Sequence, residues 1–255
     1  MSRIDGRIFH VNVNCSDLDT SLSFYREAVG LTAAVHTTPG RPQPGGAFGL
    51  TTAQWDAWIM TSGHGVEDVV IDLLEWKVPR PSQAGEPGGF ERLRLGVRDG
   101  SRLAAGFAVD PDGVRIEIVD RDGPRVAGVV VGCSDVDESQ AFYQDVVGLS
   151  RVGATTFCDS RGPGSFSIEL APAHRPSRPR IATDVGIYRL ALLVGDLDRA
   201  HDTLTAAGVH PYSPPATLDM GPGLPALRAL FFPDPDGTTL ELIEQPAARV
   251  VPDAR

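Results

Sequence analysis

A repeated pattern constrains the fold of this chain more than any other feature of its sequence. Residues 16–31 read SDLDTSLSFYREAVGL, and residues 134–149 read SDVDESQAFYQDVVGL, 118 positions later. A second signature, Asp-Pro-Asp-Gly at residues 110–113, returns at residues 234–237. Repeats at a long period indicate a duplicated structural unit, so the fold must be built from copies of one module.

Each copy begins as an alternating strand and continues into an amphipathic helix. At residues 8–14 apolar side chains alternate with polar ones, which is typical of a half-buried strand. Ser16 or Asp17 then caps a helix that Gly30 ends. Strand-like pieces follow, so the unit reads β-α-β-β-β. The second segment lacks its helix, because Val97 and Asp110 are only 13 positions apart.

Two stretches rich in proline and glycine indicate linkers inside a two-domain arrangement. We expect a first domain at residues 1–122, with its linker at 77–89. We expect a second domain at 123–247, with its linker at 172–185 and a tail at 248–255. Each domain would then contain two of the four segments.

Composition excludes several classes of partner and location. The net charge of −10 and the pI near 5.0 oppose nucleic-acid binding, which requires a basic face. No apolar run reaches the ~20 residues that span a bilayer, and residues 1–5 do not open a signal peptide. The three cysteines do not form a disulfide framework. We therefore expect a cytoplasmic protein that binds neither nucleic acid nor membranes.

The alternating strand, the helix at residues 16–31 and the closing Asp-Pro-Asp-Gly hairpin, followed by RIEIV or TLELIE, resemble the vicinal oxygen chelate superfamily. That superfamily includes glyoxalase I, bleomycin-resistance proteins and extradiol dioxygenases. The resemblance implies an α+β fold in which four βαβββ-type modules, the second without its helix, pair into two cup-shaped sheets. It implies one cup from segments one and two, and another from segments three and four.

The resemblance also implies a divalent metal, held by side chains of the first and last strands of each module. In the first domain the matching positions are His10, Asp72, Arg92 and Glu117. The metal ligands would be His10, Asp72 and Glu117, a set that suits Fe, Mn, Ni, Co or Zn. In the second domain the matching positions are Gly128, Glu169, Arg189 and Glu241, and no metal is expected there.

Arginine at two of these positions leaves an alternative open. A guanidinium group does not lose its proton in a protein and cannot bind a cation. Arg92 would instead pair with Asp72 or Glu117 and supply the positive charge itself. Arg189 would form a buried ion network with Glu169 and Glu241, or would bind an anionic or carbonyl group of a ligand.

The remaining candidates are residues that would bind or transform a small molecule. Trp55, Trp58 and Met60 would line an aromatic pocket for a flat, oxygenated ligand in the first cup, where Arg92 would also bind it. Arg189 would bind a ligand in the second cup. The catalytic acid and base would be His10 and Glu117.

Two function classes fit these residues. The first is an enzyme that performs isomerase, lyase or dioxygenase chemistry on a small oxygenated metabolite, with or without a metal. The second is a metal-free protein that sequesters a natural product, similar to bleomycin-resistance proteins. Either class requires a small-molecule partner and is compatible with a monomer or a homodimer.

Overall fold

The computed structural model describes residues 3–63, 68–82, 89–103, 106–120, 122–162, 164–173 and 180–245. These residues form sixteen strands and three α-helices. Segment one contains β1 (Arg7–Asn14), α1 (Leu18–Phe24), β2 (Thr32–Thr37), β3 (Gln43–Pro44), β4 (Thr52–Thr61) and β5 (Val70–Val78). Segment two contains β6 (Phe90–Gly96), β7 (Gly106–Val109) and β8 (Arg115–Asp120).

Segments three and four repeat this order of elements. Segment three contains β9 (Arg125–Cys133), α2 (Val136–Ala141), β10 (Ser150–Arg151), β11 (Thr156–Cys158) and β12 (Ser167–Pro172). Segment four contains β13 (Gly186–Val194), α3 (Leu197–Ala206), β14 (Ala216–Leu218), β15 (Leu227–Pro233) and β16 (Thr239–Glu244). In segment two, the described residues between β6 and β7 contain no helix, in agreement with the short spacing in the sequence.

Aspartate caps set the start of each helix. The Asp17 carboxylate accepts a hydrogen bond of 2.8 Å from the backbone N–H of Thr20 and so satisfies a donor that the first turn of α1 leaves open. The helix continues as a π-helical turn to Val29, and Gly30 ends it with φ of 103°. Only glycine adopts this left-handed conformation without strain, and Gly148 adopts it at the same place in the second copy, with φ of 87°.

The strands form two curled sheets, as the resemblance implies for an α+β fold of paired modules. The first sheet has the order β14-β15-β16-β13-β1-β5-β4-β2, with β3 paired to β4. The second has the order β10-β11-β12-β9-β6-β8-β7. One apolar cluster contains side chains of both sheets and of the helices. None of the described helices is long and apolar enough to cross a membrane.

The expected pairing of the segments is wrong. Antiparallel pairing of β1 with β13 joins segment one to segment four, and antiparallel pairing of β6 with β9 joins segment two to segment three. Each cup therefore draws on both expected domains, 1–122 and 123–247. The physical reason is that the first strands of all four repeats have similar apolar faces, so the sequence pattern alone does not select a partner. The division of the chain at residue 122 stays a prediction.

The two repeated signatures bind each other across this arrangement. Asp112 accepts hydrogen bonds from the backbone N–H of Ser16 at 3.1 Å and from the hydroxyls of Ser16 and Ser21 at 2.5 and 3.2 Å. The Tyr25 hydroxyl donates to Asp110 at 3.0 Å. The copy repeats these contacts, with Asp236 bound to Ser134 and Ser139 and Asp234 bound to Tyr143. In each copy, these hydrogen bonds join a helix to a turn. The strands next to the helix lie in one sheet, and the strands next to the turn lie in the other.

Candidate functional site

Four polar side chains meet on the concave face of the first sheet. His10 lies on β1, Asp72 on β5, Arg189 on β13 and Glu241 on β16, and these are the four neighbouring central strands. Because alternate side chains of a strand point to one face, each strand contributes one of them to the interior of the cup. We call these four residues the floor cluster.

Arg189 holds the floor cluster together. Its Nε lies 2.6 Å from Glu241 Oε2, and its Nη2 lies 2.7 Å from Asp72 Oδ2. His10 Nε2 lies 3.2 Å from the same Glu241 oxygen and 3.9 Å from the same Asp72 oxygen. Every member of the cluster is at most 5 % exposed, so these charges interact in a medium that screens them far less than water does.

The charges in the cluster shift one another's pKa values. Burial alone would raise the pKa of Glu241, but the charge of Arg189 and the contact with His10 outweigh burial, and the pKa lies below its ordinary value. Burial would lower the pKa of Arg189, but Glu241 and Asp72 outweigh it and the pKa is raised. Glu241 is therefore ionised and Arg189 is charged at neutral pH.

Asn12 holds Asp72 of the floor cluster in place by hydrogen bonds, and the sequence analysis did not identify this role. Its side-chain Nδ2 donates to the Asp72 backbone carbonyl at 3.0 Å and to Asp72 Oδ2 at 3.1 Å. Asn12 lies two residues after His10 on β1, so the strand alternation that places His10 in the cup also places Asn12 there. That alternation is the signal that could have identified it.

Several polar atoms of the cluster have hydrogen-bonding capacity to spare. Arg189 Nη1 and His10 Nδ1 are buried and have no hydrogen-bond partner among the described residues. His10 Nε2 contacts Glu241 without forming a well-directed hydrogen bond. Buried polar groups are normally paired, so these atoms retain the capacity to hydrogen-bond to a ligand or an ordered water.

A cavity of about 480 Å³ lies over the floor cluster. The floor side chains form its polar end, and its walls are apolar side chains from both segments of the sheet. Segment one contributes Phe9, Val35, Phe48, Trp55, Ile59, Val70 and Leu74. Segment four contributes Leu218, Met220, Leu224, Pro225, Leu227 and Ile243. The volume and the few convergent polar groups are typical of a small-molecule site.

Hydrogen bonds between the two segments fix loops beside this cavity. The Gln43 side chain donates to the Asp219 carbonyl at 2.9 Å and accepts from the Asp219 N–H at 2.9 Å. The Thr38 N–H donates to the Met220 carbonyl at 3.1 Å. The loop that carries Met220 and Leu224 is thus fixed to the loop that precedes β4, and both walls of the cavity are held in place.

Sequence comparison places the chain among known proteins. The family model of the glyoxalase/bleomycin resistance protein/dioxygenase superfamily matches residues 7–92 and 125–242. The chain belongs to this superfamily. Among curated relatives, the uncharacterised protein YwkD of Bacillus subtilis (strain 168) is 36 % identical over 129 residues, which are 46 % of this chain and 94 % of YwkD. The uncharacterised protein YaeR of Escherichia coli (strain K12) is 32 % identical over 133 residues, which are 48 % of this chain and 96 % of YaeR.

Solved structures of the superfamily share the two-sheet architecture. Glyoxalase I from Zea mays superposes with a TM-score of 0.68 at 17 % identity, over 94 % of this chain and 92 % of that one. A putative dioxygenase from Bacillus subtilis superposes with a TM-score of 0.67 at 15 % identity, over 96 % of this chain and 87 % of that one. At these identities the likeness shows the fold alone.

The superfamily fold places the predicted aromatic residues differently from expectation. Trp55 lines the cavity, as expected. Trp58 and Met60 do share a face of β4, but it is the opposite one: Met60 is buried in the main apolar core and Trp58 packs against it. Trp58 also stacks on His36, with ring centroids 4.5 Å apart. Neither Trp58 nor Met60 lines this cavity, so their contact with a ligand stays a prediction that this placement does not favour.

Glu117 and Arg92 also lie elsewhere, on the second sheet. Glu117 Oε2 binds Arg92 Nε at 2.9 Å and Arg94 Nε at 3.0 Å, and Arg94 Nη2 binds Glu169 at 2.6 Å. The structure therefore does not bring Glu117 or Arg92 to His10 and Asp72. Glu241 and Arg189 take those places, because segment four, and not segment two, completes the first sheet.

The second sheet differs from the first in exposure and in its first-strand residue. Its four charged side chains are 16–30 % exposed, whereas the residues of the floor cluster are buried. Gly128 occupies the place of His10, and a Cβ there would lie 2.4 Å from the Ser167 carbonyl oxygen. The second sheet is therefore built without a side chain at this position.

Members of the superfamily often bind a divalent metal, so we asked whether the four residues of the floor cluster could bind one. His10, Asp72 and Glu241 are suitable donors, but Arg189 binds the two carboxylate oxygens that face His10. Within the described ranges no three His, Cys, Asp or Glu side chains form a metal-holding group. With Arg189 in this position, the residues present do not fit a divalent metal.

Proposed function

We propose that this chain is an enzyme that binds a mostly apolar, oxygen-bearing small molecule in the cup of the first sheet and transfers a proton on it. One observation carries the proposal: a buried cluster of His10, Asp72, Arg189 and Glu241 forms the polar end of an otherwise apolar cavity. That arrangement would hold the apolar body of a ligand against the walls and its oxygen against the floor.

His10 is the group we assign to proton transfer. Its ring lines the cavity, and its nitrogens have no well-directed hydrogen bond within the described residues. An imidazole in such a position can accept a proton from a carbon next to a carbonyl group and return it. Glu241, at 3.2 Å, would stabilise the imidazolium that forms after the first step. Glu241 thus replaces Glu117 as the carboxylate beside His10.

Arg189 is the group we assign to charge stabilisation. When a proton leaves the carbon, negative charge develops on the neighbouring carbonyl oxygen. The unpaired Nη1 of Arg189 provides an N–H donor for that oxygen, and the two carboxylates already fix the guanidinium in place. A preorganised donor in a buried site is worth far more than one in water.

This proton transfer supports isomerase or lyase chemistry. Among the similar structures are a glyoxalase I and a putative dioxygenase. The floor cluster favours the first kind of chemistry, because iron-dependent oxygenases need a facial set of free imidazole and carboxylate donors. Here Arg189 already binds both carboxylates. A cytoplasmic location and a monomeric or homodimeric state remain part of the proposal.

Sequestration of a natural product is the second candidate. It is favoured by the apolar walls of the cavity and by the ion pairs that Arg189 already forms with both carboxylates of the floor. A binding protein would use the same cavity and would perform no proton transfer. The two candidates therefore differ in chemistry and not in the position of the ligand.

Proton exchange distinguishes an enzyme from a binding protein. We would incubate the protein in D₂O with a panel of aryl ketones such as benzylacetone and follow the loss of the α-proton signals by NMR. The wild type should speed up exchange, and His10→Gln should abolish the effect. The control is His36→Gln, because His36 stacks on Trp58 outside the cavity. Ketone binding without exchange in the wild type would favour sequestration.

A further inference from the structure

One nitrogen of His10 lies near one oxygen of each floor carboxylate. His10 Nε2 is 3.2 Å from Glu241 Oε2 and 3.9 Å from Asp72 Oδ2. Two ligands bound to a metal at about 2.0–2.1 Å with tetrahedral angles stand roughly 3.3 Å apart. The separation of His10 from Glu241 is close to this value, and the separation of His10 from Asp72 is longer than metal binding requires.

Arg189 is the group that prevents it. Its Nε and Nη2 bind the same two carboxylate oxygens that face His10, at 2.6 and 2.7 Å. A guanidinium has five N–H donors and no lone pair for a cation, and it stays protonated in proteins. The oxygens that a metal would need are therefore already bound to a fixed positive charge.

Charge balance points in the same direction. Arg189 neutralises one of the two buried carboxylates, and a divalent cation would neutralise both. Arg189 and a divalent cation together would leave a net positive charge in a site that is at most 5 % exposed, at a separation of a few ångströms. Buried charges without a partner are strongly disfavoured, so the two cations exclude each other.

We propose that Arg189 is a built-in cation that takes the place of a divalent metal, so that an imidazole at this one position would convert the floor cluster into a metal site. The floor would then offer two imidazoles and two carboxylates, which is a donor set that Zn²⁺, Co²⁺ and Ni²⁺ bind. The inference holds whether or not the cup performs the proton transfer proposed above.

The second sheet provides a matched control inside the same chain. Arg92 is the repeat equivalent of Arg189 and also binds a carboxylate, that of Glu117. Gly128 replaces His10 there, and it has no room for a side chain. Arg94 would still bind Glu117 and Glu169 in Arg92→His. The new imidazole would therefore lie beside carboxylates that a guanidinium already binds, without a second imidazole across from it, and the variant would bind metal weakly or not at all.

The test measures metal content and needs no substrate. Wild type, Arg189→His, Arg92→His and Arg189→His/His10→Ala would each be dialysed against Co²⁺ and then against buffer. Elemental mass spectrometry would give the metal content, and the visible spectrum would report the Co²⁺ environment. We expect about one Co²⁺ per chain in Arg189→His and no stoichiometric Co²⁺ in the other three proteins.

Two results would overturn the proposal. One is stoichiometric Co²⁺ in the wild type that His10→Ala removes, because Arg189 would then coexist with a metal. The other is a folded Arg189→His protein, judged by circular dichroism, that takes up no Co²⁺. If Arg189→His does not fold, the wild type decides: a melting temperature unchanged by Co²⁺ supports the proposal, and a rise that His10→Ala abolishes contradicts it.

Discussion

The hydroxyl of Tyr25 donates a hydrogen bond of 3.0 Å to the carboxyl group of Asp110, although the two residues belong to segments of different sheets. Tyr143 and Asp234 form the same bond at the same length in the second copy. The repeated helix and the repeated turn are thus the two halves of a contact that joins the sheets. These contacts join the two sheets in addition to the apolar cluster that they share.

Removing the tyrosine hydroxyls should destabilise the fold at both copies. Tyr25→Phe and Tyr143→Phe each leave a buried aspartate without one donor, which costs about 1–3 kcal/mol. Urea unfolding would measure the loss. Tyr212→Phe is the control, since the Tyr212 hydroxyl bonds to Thr239 at a more exposed position. Equal losses for all three variants would mean that the bonds between the sheets have no special weight.

The same two aspartates should make stability depend on pH. Burial raises the pKa of Asp110 and of Asp234 from 3.8 to about 6 in the folded protein. A group that binds its proton more tightly when folded stabilises the fold below its unfolded pKa, and this contribution disappears as the pH rises through the folded pKa. The contribution is therefore complete below about pH 4 and is lost by about pH 7.

The measurement compares the wild type with Asp110→Asn/Asp234→Asn by urea unfolding across this range. The difference between their free energies of unfolding should change in favour of the double variant as the pH rises. Asp137→Asn, at an exposed position, should show a difference that does not vary with pH in this way. A flat difference for the double variant would show that these carboxyl groups keep their ordinary pKa values.

The sequence predicts the modules well and the pairing of modules badly. Repeats, the Asp17 cap and the strand alternation depend on local chemistry, and the structure shows all three. Which first strands pair depends on contacts between distant segments with similar apolar faces. Connection lengths carry the missing signal: β8 ends at Asp120 and β9 begins at Arg125, so segments two and three stay in one sheet, whereas the longer linkers cross between sheets.

The same limit explains the site. Alternation along a single strand identifies His10, Asp72 and Arg189 as inward-facing. It does not show which segments pair, so the sequence places Arg189 and Glu241 in the other cup and Glu117 in this one. Alternation also puts Trp58 and Met60 on one face of β4, but whether that face meets the cavity or the core depends on what packs against the sheet.

Loss of Arg189 should destabilise the protein far more than loss of its counterpart. Arg189→Met leaves two buried carboxylates without their cation, which costs about 3–5 kcal/mol. Arg92→Met removes a partly exposed ion pair and should cost about 1 kcal/mol or less. Thermal and urea unfolding would compare the two. Similar losses would contradict the view that the floor cluster, and not the second sheet, holds a dry ion network.

Tryptophan fluorescence should locate the ligand on one side of β4. Trp55 lines the cavity, whereas Trp58 lies on the opposite face against the core and His36. An aryl ketone that binds in the cup should therefore quench the wild type and Trp58→Phe, and its quenching should be lost in Trp55→Phe. Conserving an aromatic ring at residue 55 keeps the wall packed, so isothermal titration calorimetry should still detect binding to Trp55→Phe with an affinity changed by less than about tenfold. The opposite result, in which quenching disappears in Trp58→Phe and persists in Trp55→Phe, would place the ligand outside the cavity. His10 and Arg189 could then not be assigned to the chemistry of that ligand.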